Sequence, residues 1–224
     1  MVPARNTILW GDCVTLMQRL PGGSVDFILT DPPYLVRYRD RSGRTIANDN
    51  DASWLVPAFA EMYRVLKNDS LAVSFYGWNE VDKFMAAWRS AGFRVVGHMV
   101  FTKPYASSRR FLQHRHEQAY LLAKGRPSLP ARPQSDVRDW DYTGNRLHPT
   151  QKPLAPLEQL VQMFSKSGEL VLDPFCGSGS SLVAAHRQGR TFLGMELDPQ
   201  HHVTACLRMY TQYSTLRPHN FMKS

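Results

Sequence analysis

The residues with the clearest chemical potential are Asp31, Pro32, Pro33 and Tyr34, which directly follow the apolar segment 25–30. A carboxylate at the end of a strand can accept hydrogen bonds from a ligand, and paired prolines hold the backbone beside it rigid. The tyrosine adds a flat ring for stacking. The alternative is an ordinary strand-terminating turn, because Asp-Pro and Pro-Pro are common in loops.

Arginines follow this tetrapeptide at short intervals, in a basic loop that we place at residues 35–50. They are Arg37, Arg39, Arg41 and Arg44. Such side chains grip the phosphates of nucleic acid, although a solvated charged loop with no partner has the same composition. A second basic group, Arg109 and Arg110, precedes Phe111 in another loop. We predict that both groups contact nucleic acid, with surface decoration as the alternative for the second.

A second informative segment, residues 170–179 (LVLDPFCGSG), reads as a strand, a glycine turn and the start of a helix. Gly177 and Gly179 let a ligand approach the backbone at the positive end of that helix. The lysine of a phosphate loop and the third glycine of a dinucleotide site are both absent. The next predicted strand ends at Glu196, whose carboxylate can accept hydrogen bonds from both hydroxyls of a ribose. Together these features indicate a nucleoside site, with tight structural packing of the glycines as the alternative.

The elements that must position these residues follow from the hydrophobic pattern. Short apolar segments alternate with helical spacing, which predicts an α/β fold with a mostly parallel sheet. Asp51 or Ser53 is predicted to cap one helix and Gly92 to end the next. Strands are predicted at 6–12, 25–31, 71–77, 169–175 and 191–198, an antiparallel edge pair at 93–103 and 117–125, and helices at 51–67, 79–92, 154–164, 179–189 and 199–213.

Composition limits the class of protein. The 224 residues suit one domain with a sizeable core. The 27 Lys and Arg against 19 Asp and Glu give a formal net charge of +8, which favours a nucleic-acid partner. The three scattered cysteines form neither a disulfide framework nor a zinc pattern, so we expect no metal and a reducing cytoplasm. We see no signal peptide and expect no membrane partner, because no segment has the apolar length of a membrane span.

Taken together, these motifs resemble those of the DNA amino-methyltransferases, which use S-adenosylmethionine to methylate exocyclic nitrogens. Asp-Pro-Pro-Tyr comes first and Phe-Cys-Gly-Ser-Gly late, a permuted order similar to that of the beta group. The segments ILWGDC, HPTQKP and GMELDP also resemble family motifs, so the likeness extends over residues 6–212. The resemblance implies a single catalytic domain, residues 1–224, with a Rossmann-like fold and helices on both faces of the sheet.

The resemblance also implies roles for individual residues. Asp31 and the main-chain carbonyl of Pro32 would accept hydrogen bonds from the adenine N6 amine, freeing its lone pair for the methyl group, while Tyr34 stacks on a flipped base. Pro33 removes a competing N–H donor. The cofactor would be held by Asp12, Thr150, Lys152, Asp173, Phe175, Gly177, Ser178, Gly179 and Glu196. Asp12 is also placed to cap a helix.

Several alternatives stay open. Cytosine N4 would suit the same geometry. Similar enzymes with an Asn-Pro-Pro-Tyr version methylate RNA or protein glutamine. A binding-only protein would keep the motifs without activity. Residues 126–147, where the beta group places target recognition, are too few for an independent domain. They form a short target-recognition insertion, which implies a short site, relaxed specificity or recognition shared with a second subunit. Double-stranded DNA is the expected substrate, and a homodimer and a cognate restriction nuclease stay open as further partners.

Overall fold

The computed structural model of the chain describes residues 5–38, 43, 45–109, 111–140 and 152–215. Within these residues one sheet contains eight strands. They are β1 (Thr7–Trp10), β2 (Val25–Thr30), β3 (Leu66–Phe75), β4 (Arg94–Thr102), β7 (His116–Lys124), β8 (Val137–Asp139), β9 (Leu170–Asp173) and β10 (Thr191–Glu196). Two short strands, β5 (Ser108–Arg109) and β6 (Gln113–His114), form a separate hairpin.

The order across the large sheet is β1-β10-β9-β2-β3-β7-β4-β8. Neighbouring strands run parallel, except that β7 runs antiparallel to both β3 and β4. The predicted antiparallel pair is therefore present as β4 and β7. One detail differs from the expectation of an edge pair, because β8 pairs with β4 and closes that side of the sheet.

Helices cover both faces of the sheet. Their bounds are α1 (Cys13–Met17), α2 (Leu55–Val65), α3 (Val81–Ala91), α4 (Leu154–Phe164), α5 (Ser180–Arg187) and α6 (Pro199–Thr215). Helices α1 to α3 share one apolar core with Ile28 of β2, and helices α4 to α6 share a second with Phe27 and Leu29. This alternation follows from the two-residue period of a strand. The predicted α/β, Rossmann-like fold class is confirmed.

Of the two predicted helix ends, one differs from the prediction and one agrees with it. Helix α2 begins at Leu55 after Trp54, and neither Asp51 nor Ser53 caps it, because the Asp51 carboxylate accepts hydrogen bonds from the Ser53 backbone and hydroxyl. Helix α3 does end at Gly92, which takes the left-handed conformation with φ 102°.

Strand β8 was not expected, because three residues are too few to show a period. Its neighbour Trp140 is buried and packs on Phe75 and Phe101, with ring centroids 5.8 and 5.3 Å apart. Part of the 126–147 segment therefore belongs to the core, whereas residues 128–136 are exposed. Over the described ranges, no helix has both the length and the apolarity to cross a membrane.

Candidate active site

Residues of both predicted motifs line one cleft. Strands β1, β10, β9 and β2 are parallel neighbours, so their carboxyl ends meet at one edge of the sheet. The cleft at this edge is lined by Asp12, Asp31, Pro32, Pro33, Tyr34, Lys152, Asp173, Phe175, Gly177, Ser178 and Glu196, among others. All but one of the described catalytic and cofactor candidates line this cleft. The exception, Gly179, is the N-cap of α5, and a side chain there would meet Ala205.

The Asp31 carboxylate has a protein donor at each oxygen. The Tyr34 hydroxyl donates to Oδ1 at 2.8 Å, and the Lys152 ammonium lies 2.6 Å from Oδ2. Burial raises the pKa of Asp31, while Lys152 and the Tyr34 hydroxyl act to lower it. An incoming amino group must therefore share or replace one of these donors to reach the carboxylate.

Lys152 lies on the catalytic side of the cleft. Its ammonium is 5.2 Å from the centroid of the Tyr34 ring and 5.5 Å from that of Phe75. A cation held by an acid and two aromatic faces is well placed in a site shielded from water. The contact between Lys152 and Asp31 was not foreseen from the sequence, because the two residues are 121 positions apart.

A second ion pair, between Lys103 and Glu117, interacts electrostatically with Asp31 and Lys152. Lys103, at the end of β4, is buried and paired with Glu117 on β7. Burial acts to raise the pKa of Glu117, but the charges of Lys152 and Lys103 outweigh it, and the pKa is lowered. Glu117 therefore stays ionised within electrostatic reach of Asp31 and Lys152.

Gly77 supports the catalytic turn, and sequence reasoning missed it. A Cβ at this position would lie 2.8 Å from the Tyr34 carbonyl oxygen and 2.9 Å from the Tyr34 Cβ, which is closer than real Cβ contacts. Its φ of −79° is ordinary, so glycine is needed here for space. The available signal was a glycine at the end of the predicted strand 71–77.

Asp49 is a second residue that sequence reasoning missed. Its carboxylate is buried and accepts backbone hydrogen bonds from Leu35, Val36 and Tyr38, at 2.7, 3.3 and 2.5 Å. These donors come directly after Tyr34, in a segment where Leu35 has a positive φ of 63°. A single carboxylate thus stabilises an unfavourable backbone path next to the catalytic turn.

The cofactor turn is built from two glycines with positive φ, Gly177 at 51° and Gly179 at 79°. Glu196 accepts a hydrogen bond from the Gly177 backbone N–H through one oxygen and from the Asp198 N–H through the other, both at 2.8 Å. A carboxylate has about four acceptor positions, so each oxygen can accept one more donor. Burial raises the pKa of Glu196.

Asp173 is in the same cleft, but both of its oxygens accept hydrogen bonds from groups inside the protein. It accepts hydrogen bonds from the Thr30 hydroxyl at 2.9 Å, from the Phe175 backbone at 3.0 Å and from the Ser181 hydroxyl. Burial raises its pKa to about 7. This carboxylate joins β2, β9 and α5 and so fixes the glycine turn.

The remaining cofactor candidates line the cleft around the turn. Asp12 caps α1 through a 2.9 Å hydrogen bond from the Thr15 backbone, as its alternative role predicted. Phe175 packs edge-on against Trp54 at 5.0 Å. Ser178 is buried and accepts a hydrogen bond from Arg208 of α6 through its carbonyl.

The basic residues are only partly described. Arg37 is exposed on the segment after Tyr34. Arg109 lies in the β5–β6 hairpin. Thr150, Arg39, Arg41, Arg44 and Arg110 lie outside the described residues. In the described part of the chain, no three His, Cys, Asp or Glu side chains are arranged to hold a metal ion.

Residues 25–206, which include the strand-terminal Asp-Pro-Pro-Tyr and the glycine turn, match the family model described as DNA methylase (N6_N4_Mtase). The chain belongs to this family of DNA methylases.

Individual relatives agree with the family. YubD of Escherichia coli strain K12, whose name describes it as a methylase, is 60% identical over 192 residues, which is 86% of this chain and 85% of YubD. The DNA adenine methyltransferase YhdJ of the same organism is 26% identical over 236 residues, which is 87% of this chain and 79% of YhdJ.

Two solved structures share the fold. TTHA0409 of Thermus thermophilus, described as a DNA modification methylase and complexed with S-adenosyl-L-methionine, is 23% identical with a TM-score of 0.72, covering 92% of this chain and 94% of that one. The PvuII DNA methyltransferase, cytosine-N4-specific, is 15% identical with a TM-score of 0.74, covering 99% and 89%.

Proposed function

We propose that this protein transfers a methyl group from S-adenosylmethionine to the N6 amine of adenine in double-stranded DNA, with the target base flipped out of the duplex. The supporting observation is that Asp31 and Tyr34 share one cleft with the glycine turn and Glu196. The order of these motifs along the chain supports placement in the beta group, and the long-range contacts support one catalytic domain.

The catalytic turn supplies two acceptors for an amino group. Adenine N6 is a weak nucleophile because its lone pair is delocalised into the ring. Hydrogen bonds to Asp31 and to the Pro32 carbonyl turn the amine out of conjugation and direct the lone pair, while Tyr34 stacks on the base. The prolines restrict the backbone that carries the two acceptors, which limits the reorganisation needed during the reaction.

The residues of the turn suit an adenosylmethionine. The spare acceptor positions of Glu196 fit the ribose hydroxyls, the glycine turn admits close approach of the ligand, and Phe175 and Trp54 provide an aromatic wall. When bound, S-adenosylmethionine would supply an electrophilic methyl group on a positively charged sulfur. N6 would accept this methyl group through its lone pair, the sulfonium would leave as the neutral thioether, and N6 would then lose one proton to water. The negative charge of Asp31 stabilises the positive charge that develops on N6.

The basic residues are proposed to hold DNA at the mouth of the cleft. Arg37 is exposed four residues after Pro33, and its neighbours in the 35–50 loop extend the positive charge. Phosphate contacts of this kind fix orientation and carry no sequence information. Within the described part of the 126–147 segment, residues 128–136 are exposed and are proposed to take part in target recognition.

Cytosine N4 is the second candidate. The same two acceptors would serve either exocyclic amine, and the family includes enzymes of both kinds. The aspartate that opens the tetrapeptide favours adenine, since cytosine-N4 enzymes more often have serine there.

The test is a direct identification of the methylated group. In three separate reactions, the protein is incubated with methyl-labelled S-adenosylmethionine and one substrate: unmethylated DNA, RNA or protein. The products are analysed by mass spectrometry. We expect N6-methyladenine from DNA alone, and sequencing of the product then maps the target site. N4-methylcytosine would select the second candidate, and no label in any nucleic acid would overturn the proposal.

A further inference from the structure

The β5–β6 hairpin carries an unusual surface at its tip. Phe111 has a relative accessibility of 104% and the next residue, Leu112, of 82%. Two adjacent large apolar side chains held fully in water are unfavourable for a folded protein with no partner at that surface. Neither side chain contributes to either apolar core.

The hairpin is firmly attached to the sheet despite its exposed tip. Beyond the β5–β6 pairing, the Ser107 backbone donates to the His114 carbonyl at 2.9 Å, and the Lys103 backbone donates to the Arg115 carbonyl at 2.8 Å. The buried ion pair between Lys103 and Glu117 closes its base. The tip is therefore presented on a supported stem.

The hairpin and the catalytic turn lie at the same edge of the sheet, with β3 and β7 between the strands that carry them. Strand β4 runs in the same direction as β3 and β2, since β7 is antiparallel to its two neighbours, so the hairpin leaves the same edge of the sheet as Asp31. Glu117, at the base of the hairpin, is close enough for the charge of Lys152 to act on its pKa.

The charge around the tip matches a polyanion. Between Lys103 and His116 the chain contains no Asp or Glu, and it contains Arg109, Arg110 and Arg115. Apolar side chains flanked by arginines are the pattern of wedges that enter between base pairs and partly unstack them. A flipped base also leaves a gap in the stack, which costs a few kcal/mol to open.

We propose that the hairpin tip, Phe111 with Leu112, inserts into the base stack of duplex DNA next to the target base and holds the duplex open while that base occupies the cleft. This inference rests on the proposed function. The apolar side chains of the hairpin would thus separate stacked bases, while its arginines contact phosphates.

The experiment compares two synthetic duplexes that contain the mapped target site. In one the target base is normally paired, and in the other it faces an abasic position, so that flipping is already facilitated. For Phe111→Ala we expect kcat/KM to fall about tenfold on the paired duplex and less than about twofold on the abasic duplex, because the wedge is needed only where stacking must be broken. Phe111→Trp should retain activity on both duplexes.

The matched control is Leu207→Ala, which removes an apolar side chain that is 63% exposed on α6. We expect no change with either duplex. Equal loss on both duplexes for Phe111→Ala, or no loss on the paired one, would overturn the wedge. So would Phe111-dependent binding to anionic lipid vesicles combined with unchanged methylation of the paired duplex. Failure of the wild-type protein on both duplexes would instead count against the proposed function.

Discussion

Asp31 and Asp173 stand at the carboxyl ends of neighbouring parallel strands, and their surroundings differ. Asp31 directly follows β2, Asp173 is the last residue of β9, and each precedes a proline. The Asp31 side chain is partly exposed and is bound by two side-chain groups, the Tyr34 hydroxyl and the Lys152 ammonium. Asp173 is buried and accepts from the Thr30 and Ser181 hydroxyls and the Phe175 backbone. The same Asp-Pro unit thus serves as an accessible acceptor in one strand and as a structural joint in the next.

Replacing the accessible acid should have the largest effect on catalysis. For Asp31→Ala we expect methyl transfer at saturating cofactor and DNA to fall about 10³-fold, because a preorganised charged acceptor for N6 is lost. Cofactor affinity, measured by calorimetry, should change little. Asp31→Asn is the matched control for shape, since it keeps an acceptor but not the charge, and it should retain more activity than alanine. Wild-type turnover in Asp31→Ala would remove the basis of the catalytic assignment.

Replacing the structural acid should act on stability. Asp173→Ala leaves the Thr30 and Ser181 hydroxyls and the Phe175 N–H without their acceptor, and we expect the free energy of unfolding to fall by about 3 kcal/mol. Urea denaturation measures this loss, which should exceed that of Asp31→Ala. A larger loss for Asp31→Ala would reverse the comparison.

The stability effect of Asp173 should depend on pH. Burial raises its pKa from 3.8 to about 7, so the folded state binds more protons than the unfolded state between these values. Stability contributed by Asp173 is therefore present at the acid end of this window and falls as pH rises toward 7. The difference in unfolding free energy between wild type and Asp173→Ala should shrink over the same range. A difference that grows with pH would contradict the raised pKa.

Gly77→Ala tests how precisely the catalytic turn is positioned. The added Cβ would push on the Tyr34 backbone, and we expect kcat to fall about tenfold because small displacements of catalytic groups are costly. Gly22→Ala is the matched control, since its Cβ would lie at an ordinary 3.5 Å from the Arg64 carbonyl. Equal activity of the two variants would show that the turn accommodates the methyl group.

Glu196→Gln should give the smallest change. One charged acceptor is replaced by an amide, and we expect the dissociation constant of S-adenosylmethionine to rise about fivefold. At saturating cofactor kcat should be unchanged, since Glu196 accepts hydrogen bonds at the glycine turn and is not proposed to contact N6. A fall in kcat with unchanged affinity would place Glu196 in the chemistry.

Much of the fold could be predicted from the sequence, because hydrophobic periods and turn residues are local. Helix α4 has the predicted bounds, 154–164, and Gly92 ends α3 as expected. The missing pieces lack a local signal. Strand β8 is three residues long and is stabilised by β4 and by the burial of Trp140.

The sequence by itself determined which motifs are present, their order, and the glycine and proline positions that constrain the backbone. Tertiary structure decided which acid is accessible, because distant segments of the chain cover each carboxylate and supply its hydrogen-bond donors. Lys152 pairs with Asp31 from 121 positions away, and Asp49 accepts hydrogen bonds across a loop. The Thr30 and Ser181 hydroxyls donate to Asp173 from two other elements. Such contacts depend on packing in three dimensions, which a pattern along the chain does not record.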